Sequence, residues 1–144
     1  MTESSLLISP FQEGDEEALV SLWNMCKLTV HWNNPYKDIA RKLKVQAEFF
    51  LVGYLGDELV ASVMAGYDGH RGWINYFAVN PDFQGRGYGK QLLENIENRL
   101  RKLGCPKINL QIREGNDNVL SYYQKLGFVE EKRINMGKRL EDDQ

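Results

Sequence analysis

Residues 84–90 read Gln-Gly-Arg-Gly-Tyr-Gly-Lys, with glycine at every second position and two cations interleaved. Glycines spaced this way let backbone N–H groups come close to an anion, and a helix starting there adds the positive end of its dipole. The chemistry this suits is phosphate binding, with Arg86 and Lys90 adding positive charge. Two common phosphate patterns do not fit. A P-loop needs Gly-x-x-x-x-Gly-Lys followed by Ser or Thr for magnesium, whereas Gly89-Lys90 is followed by Gln91 and position 84 is glutamine. A dinucleotide fingerprint needs Gly-x-Gly-x-x-Gly and an acid closing the next strand. Here the spacing is Gly-x-Gly-x-Gly, and the apolar run 107–112 carries no acid before Arg113. From these residues alone the stretch is either another kind of phosphate loop or a glycine-rich turn between strand and helix.

Other reactive side chains are sparse. Cys26 and Cys105 are the only cysteines, far apart and outside any Cys-x-x-Cys pattern, which reads as two thiols rather than a disulfide framework or zinc site. His31 and His70 have no metal-ligand spacing, so no metal is expected. The net charge of −2 gives no general pull toward nucleic acid or anionic membrane, and neither is expected as a partner. The first residues lack a basic region followed by a long apolar one, and no apolar run approaches the ~20 residues that span a bilayer. The expected location is the cytoplasm.

The elements that must position the loop follow from periodicity. A chain of 144 residues with 42% hydrophobic content is the size of one domain with its own core, expected to cover 1–144. "LLISPF" is a first strand, and "GDEEALVSLWNMCKL" a helix with Leu19, Leu22, Trp23 and Cys26 on one face. Asn34-Pro35 opens a second helix that Ile39, Leu43 and Ala47 continue. "EFFLVGYL" and "ELVASVMAGY" form a hairpin about Gly56-Asp57, and a second turn at Asp68-Gly69 leads into "WINYFAV". After the glycine loop, Leu92, Leu93, Ile96 and Leu100 line a third helix that stops at Gly104. "KINLQI" is a fifth strand, 116–128 a fourth helix, 128–140 one or two final strands, and the acidic tail is expected to fray. The order predicts an α+β domain with a mixed sheet, not an alternating doubly wound one.

Gln84, Gly87 and Gly89 match [Gln/Arg]-x-x-Gly-x-[Gly/Ala], and at these residues the chain resembles the GNAT superfamily of acyl-CoA-dependent N-acyltransferases. A second segment, "NDNVLSYYQKLGF", resembles the same family with Asn116, Tyr123, Gly127 and Phe128 in register. The resemblance covers nearly the whole chain and is closest to a group of small bacterial acetyltransferases, judging by "GYDGHRG", "GCPKI" and "MGKRL". It implies a mostly antiparallel mixed sheet flanked by helices, splayed between the fourth and fifth strands. It also implies acetyl-CoA as co-substrate, its pyrophosphate held by Gln84, Gly85, Arg86, Gly87, Tyr88, Gly89 and Lys90. The pantetheine arm would lie on the backbone of Phe77, Ala78 and Val79, with a nearby N–H polarising the thioester. Asn116 would be a helix cap and a coenzyme contact, and Tyr123 the general acid that protonates the departing thiolate.

The expected reaction is acetyl transfer to a primary amine by direct attack in a ternary complex. Neither cysteine is expected beside the acyl group, so a covalent route lacks a residue. Many relatives carry a glutamate on the fourth strand, where this chain has Asn75 and Tyr76. A missing base matters. Deprotonating a lysine-like amine at neutral pH costs ~4–5 kcal/mol, against ~1 for an α-amino group. Substitutes with a possible place near the acceptor are His31 and Trp32, Asp68 and His70 in the hairpin, and Glu48 on the second strand. The other class of function open to this fold is a non-catalytic acyl-CoA sensor, which the absent carboxylate favours and Tyr123 disfavours. Monomer and homodimer remain equally open.

Overall fold

The computed structural model describes residues 5–143; residues 1–4 of the N-terminal stretch and Gln144 lie outside it. Five strands form one sheet in the order β1 (Leu7–Pro10), β2 (Phe50–Leu55), β3 (Glu58–Tyr67), β4 (Gly72–Val79) and β5 (Ile108–Leu110). The first three pairings are antiparallel and β4–β5 is parallel, giving the expected mixed sheet. Gly56, at φ 59°, makes the tight turn between Leu55 and Glu58 that sets the β2–β3 register.

Helices cover both faces, and the sequence explains why. In β2, the run Phe50-Leu51-Val52 is apolar at every position because alternate side chains enter different cores. Phe50 and Val52 pack with Leu19, Leu22 and Trp23 of α1 (Glu16–Met25) and Ile39 of α2 (Pro35–Lys42). Leu51 and Val63 pack on the opposite side with Leu92, Leu93, Ile96 and Leu100 of α3 (Tyr88–Lys102) and Tyr123 of α4 (Asp117–Lys125). Each such fully buried side chain contributes ~1.5–3 kcal/mol. Asn34 caps α2 by accepting from the backbone N–H of Tyr36 at 3.0 Å and Lys37 at 3.2 Å, with Pro35 in the first turn.

Three expectations are corrected. The second helix ends at Lys42 rather than running to Ala47, because Leu43 and Val45 find no core and remain exposed. Gln46 then turns left-handed, and Ala47–Phe49 is a 3-10 turn, so Glu48 precedes β2 instead of lying on it. Residues 128–140 form no strand. Ile134, Met136 and Leu140 stay exposed, and the segment forms no backbone ladder with the free edge of β5. Side chains hold this segment instead: Lys107 and Asn109 bond Glu131, and Gln111 bonds Asn135.

The tail is docked, not frayed. Arg41 of α2 grips Asp143 through two nitrogens at 2.7 and 2.8 Å and Glu141 at 2.7 Å, while Arg139 donates to Asn33 at 3.1 Å. The Arg41 guanidinium holds the Asp143 carboxyl below its ordinary range. A lowered folded pKa means that this clasp is complete above the unfolded carboxylate value of ~3.9 and is lost as pH falls through the folded one. Arg41→Ala should therefore raise hydrogen exchange across 138–143 at neutral pH, and the parent chain should show the same loosening only in acid. Equal protection in the variant would mean that the clasp does not hold the tail.

Candidate active site

The glycine loop sits where β4 ends and α3 begins. Asn80, buried, accepts from Asp82 N at 2.9 Å, and its own N–H donates to Val60 O at 2.7 Å, anchoring the turn to β3. Gln84 folds back to donate to Val79 O at 3.0 Å. Gly85 and Gly87 lie at φ 81° and 83°, with no neighbour within 4 Å of a Cβ built on either. Gly87 is the N-cap of α3, and no acidic side chain lies in the first turn. The first-turn N–H groups thus keep their positive end uncompensated. Arg86 sits over the Phe83 ring at 5.2 Å, and neither Arg86 nor Lys90 forms an ion pair among the described residues. An open floor, free N–H donors and unpaired cations fit a pyrophosphate.

Gly89 differs from the other two. A Cβ there would lie 2.5 Å from the Tyr122 hydroxyl and 2.9 Å from Phe77 Cζ. The reason for glycine is close packing of α3 on β4 and α4, not backbone conformation.

β4 is bulged one step before the loop. Ser62 pairs with Ala78 but Met64 pairs with Asn75, so Tyr76 and Phe77 together oppose Val63. Tyr76 takes φ 49°, a left-handed conformation that costs a tyrosine ~1–3 kcal/mol. Beyond the bulge, Phe77 and Val79 pack toward α3 while Tyr76 and Ala78 pack toward α1. On the other edge, β4 and β5 pair only from Gly72/Ile108 to Ile74/Leu110. Asn75–Val79 therefore runs past the end of β5, and the sheet opens where its backbone is irregular.

α4 closes this opening. Tyr123 is 8% exposed, its ring 5.9 Å from Phe77 and 5.4 Å from Phe128. Burial, reinforced by Tyr122, pushes its phenol well above the ordinary tyrosine range. Its hydroxyl has no partner among the described residues, yet it is not sealed off. Tyr122 stacks on Phe77 at 6.1 Å, so both tyrosines flank the residue implicated in pantetheine binding. Asn116 stands at the N-cap of α4 but makes no side-chain cap bond, a correction to half of its expected role. Its amide is left available to a ligand.

On the α1–α2 side, the Tyr76 hydroxyl donates to Asp38 Oδ2 at 2.6 Å, and Asn33 Nδ2 donates to the same oxygen at 2.6 Å. Burial and the Asp38 bond push the Tyr76 phenol up. His31 and Trp32, edge to face at 4.8 Å, are carried to this region by the loop that ends in Asn33. Asn75 is exposed on β4, next to Tyr76 in the chain. Asp38, Asn33, Ser62 and Trp23 were not legible as site residues, because what unites them is contact with Tyr76 across tens of positions.

Asp68 and His70 lie elsewhere. Asp68 Oδ1 accepts from the backbone N–H of His70 and of Arg71, both at 2.7 Å, and its other oxygen accepts from Trp73 Nε1 at 3.2 Å. This carboxylate builds the turn. The hairpin enters β4 at Gly72, about 16 Å from Phe77 at strand rise. Cys26 lies closer to the loop than its place at the end of α1 suggests: its Sγ donates to Val79 O at 3.4 Å. Burial pushes that thiol up, which makes it a poor nucleophile. An open cleft of about 860 Å³ is bounded by β5, α4 and residues 126–135; it borrows Ile112, Arg113, Asn116 and Tyr123 but none of the glycine loop.

A bulged strand, a splayed neighbour and a glycine loop at one end define an acyl-CoA-type transferase fold. The profile of the acetyltransferase (GNAT) family matches residues 10–128, and the chain belongs to that family. It is 46% identical over 137 residues to an acetyltransferase of Yersinia enterocolitica, covering 95% of this chain and 97% of that protein. Among solved structures, the ribosomal-protein-S18-alanine N-acetyltransferase of Escherichia coli superposes with a TM-score of 0.72 at 23% identity, covering 89% of this chain and 80% of that one. The NatC complex bound to Gag peptide and CoA gives 0.73 at 20% identity, over 90% and 88% of the two chains. At these identities both establish the fold. The chain is an N-acetyltransferase, and its family uses acetyl-CoA. No helix among the described residues is long and apolar enough to cross a membrane.

Proposed function

We propose that this chain, acting as one domain, transfers acetyl from acetyl-CoA to a primary amine by direct attack in a ternary complex. The observation that carries this is the juxtaposition of the Tyr76–Phe77 bulge with the gap beyond Leu110 and the loop at Gly85 and Gly87. Acetyl-CoA supplies an activated thioester. The residues do the rest. N–H groups of the loop and first turn of α3, with Arg86 and Lys90, hold the pyrophosphate, and Gln84 keeps the loop folded on Val79. Phe77, Ala78 and Val79 offer main chain to the pantetheine arm, and Asn116 offers its free amide. The Phe77 N–H donates to the thioester oxygen as negative charge develops on it. Tyr123, kept protonated by burial, gives its proton to the departing sulfur.

Asp38 does not replace the missing strand base, since Tyr76 and Asn33 already donate to its Oδ2 at 2.6 Å each and Arg41 lies 3.5 Å from its Oδ1, so its oxygens are engaged within the protein. An acceptor that arrives nearly neutral suits this site. An α-amino group costs only ~1 kcal/mol to deprotonate at neutral pH, so a peptide or small-molecule α-amine is the preferred class. His31, Trp32, Asn75 and Tyr76 line its side of the opening.

The test has two stages. Melting with acetyl-CoA at about a hundred times Kd should add ~2.7 kcal/mol of stability, with no effect from ATP or NAD. Thiol release should then appear with α-amine peptides and stay low with lysine side chains. No stabilisation by acetyl-CoA would overturn the reading; stabilisation without thiol release across the amine panel would leave the non-catalytic sensor.

A further inference from the structure

Ser62 poses a problem for a hydrophobic core. It is fully buried on β3 among Val60, Ala61 and Val63, where an unbonded hydroxyl is costly and alanine or valine would pack without penalty. Its bonds explain it. Trp23 Nε1 donates to Ser62 Oγ at 3.0 Å, and Ser62 Oγ donates to Tyr76 O at 3.1 Å. The direction of this chain is forced: an indole N–H can only donate, so the serine oxygen accepts there and its proton is left for the carbonyl.

That carbonyl belongs to the bulge. Tyr76 and Phe77 share one partner on β3, so the regular ladder cannot satisfy both residues. Ser62 takes the place of the missing ladder donor. The chain has no cis peptide bonds among the described residues, and in a trans peptide the N–H points opposite to the C=O. With the Tyr76 C=O fixed toward Ser62, the Phe77 N–H is directed away from β3, toward the side from which β5 has diverged. The same tyrosine is clamped at its ring, which stacks on Trp23 at 3.9 Å and 17°. Trp23 therefore acts twice, on the ring by stacking and on the carbonyl through Ser62.

We infer that Ser62 and Trp23 are positioning residues that aim the Phe77 N–H at the thioester carbonyl by fixing the Tyr76 peptide. This rests on the reading of β4 as the donor strand for acetyl-CoA. It places part of the control of transfer in the α1 core, on the face of the sheet opposite α3 and α4.

Bond polarisation can be measured without any acceptor. [1-¹³C]Acetyl-CoA bound to the parent protein should show its carbonyl stretch shifted to lower frequency than in water. In Ser62→Ala the band should move back toward the free position, while Kd for acetyl-CoA changes by less than about threefold, since the pyrophosphate loop is untouched. Ser62→Cys, close in volume and a weaker donor, should be intermediate, and it decides the matter if the alanine variant does not fold. In the ligand-free protein, the Phe77 amide resonance should move more than those of other β4 residues. A parental band in both variants would overturn the inference, as would loss of acetyl-CoA binding in both, which would make Ser62 merely structural. If the parent binds acetyl-CoA with an unshifted band, the assignment of the β4 amide as donor fails and takes the inference with it; no binding at all overturns the proposed function itself.

Discussion

Gly87→Val should remove the stabilisation by acetyl-CoA while leaving the protein folded. The two effects separate because of where Gly87 lies. Its φ of 83° is left-handed, and nothing stands within 4 Å of an added Cβ. No neighbouring atom therefore meets the added Cβ, and the cost is the backbone strain of a β-branched residue at this φ, ~1–3 kcal/mol. At this chain length that lowers Tm by about 2–4 °C per kcal/mol. Binding fares far worse, because the open space above Gly87 is where an anion must approach the first-turn N–H groups of α3. The expected result is a ligand-free melt lowered by no more than that strain and near-complete loss of the ~2.7 kcal/mol shift at saturating acetyl-CoA. A retained shift would remove the loop from coenzyme binding. Gly89→Ala provides the contrast: the ~1 kcal/mol gained in helix propensity is outweighed by ~1–3 kcal/mol of overpacking against Tyr122 and Phe77, so its ligand-free melt should fall.

Tyr123→Phe should lower the rate of thiol release about a hundredfold and leave acetyl-CoA binding unchanged. The ring is retained, so its packing on Phe77 and Phe128 survives. Only the hydroxyl, which has no partner among the described residues, is lost. The pH profile is a sharper test. Burial raises the folded pKa of Tyr123 above the ordinary ~10, so the acid form persists through neutral and mildly alkaline pH. The rate should rise as the acceptor amine loses its proton, then stay level to at least about pH 10. Stability follows the same sign: a raised phenol contributes fully below ~10, and that contribution is lost as pH climbs through the folded value. Should Tyr122→Phe, not Tyr123→Phe, slow the reaction, the acid would be the neighbour that touches Gly89.

The parts of this protein that could be read from sequence share one property: their cause lies within a few residues. The tight turn at Gly56 follows from the absence of a Cβ, the Asn34 cap from its own side chain, and the core faces of α1 and α3 from helical spacing. The donor class followed from Gln84, Gly87 and Gly89 with Asn116 and Tyr123 downstream, and the family assignment agrees with it. Where reading failed, the cause was at a distance. Apolar alternation at Ile134, Met136 and Leu140 promised a strand, but a strand exists only if another edge bonds it. An acidic tail promised fraying, yet Arg41, a hundred positions away, anchors Asp143.

The sequence by itself determined the glycine loop between strand and helix, the order of elements from β1 to α4 and the absence of a carboxylate at Asn75 and Tyr76. Only the tertiary structure decided that β4 bulges at Tyr76, that Ser62 and Asp38 hold the two ends of that tyrosine, and that Cys26 lies against Val79. The physical reason is register. A glycine's φ or a helix cap is settled by neighbours along the chain, whereas one extra residue in a strand is defined only by what it faces across the sheet.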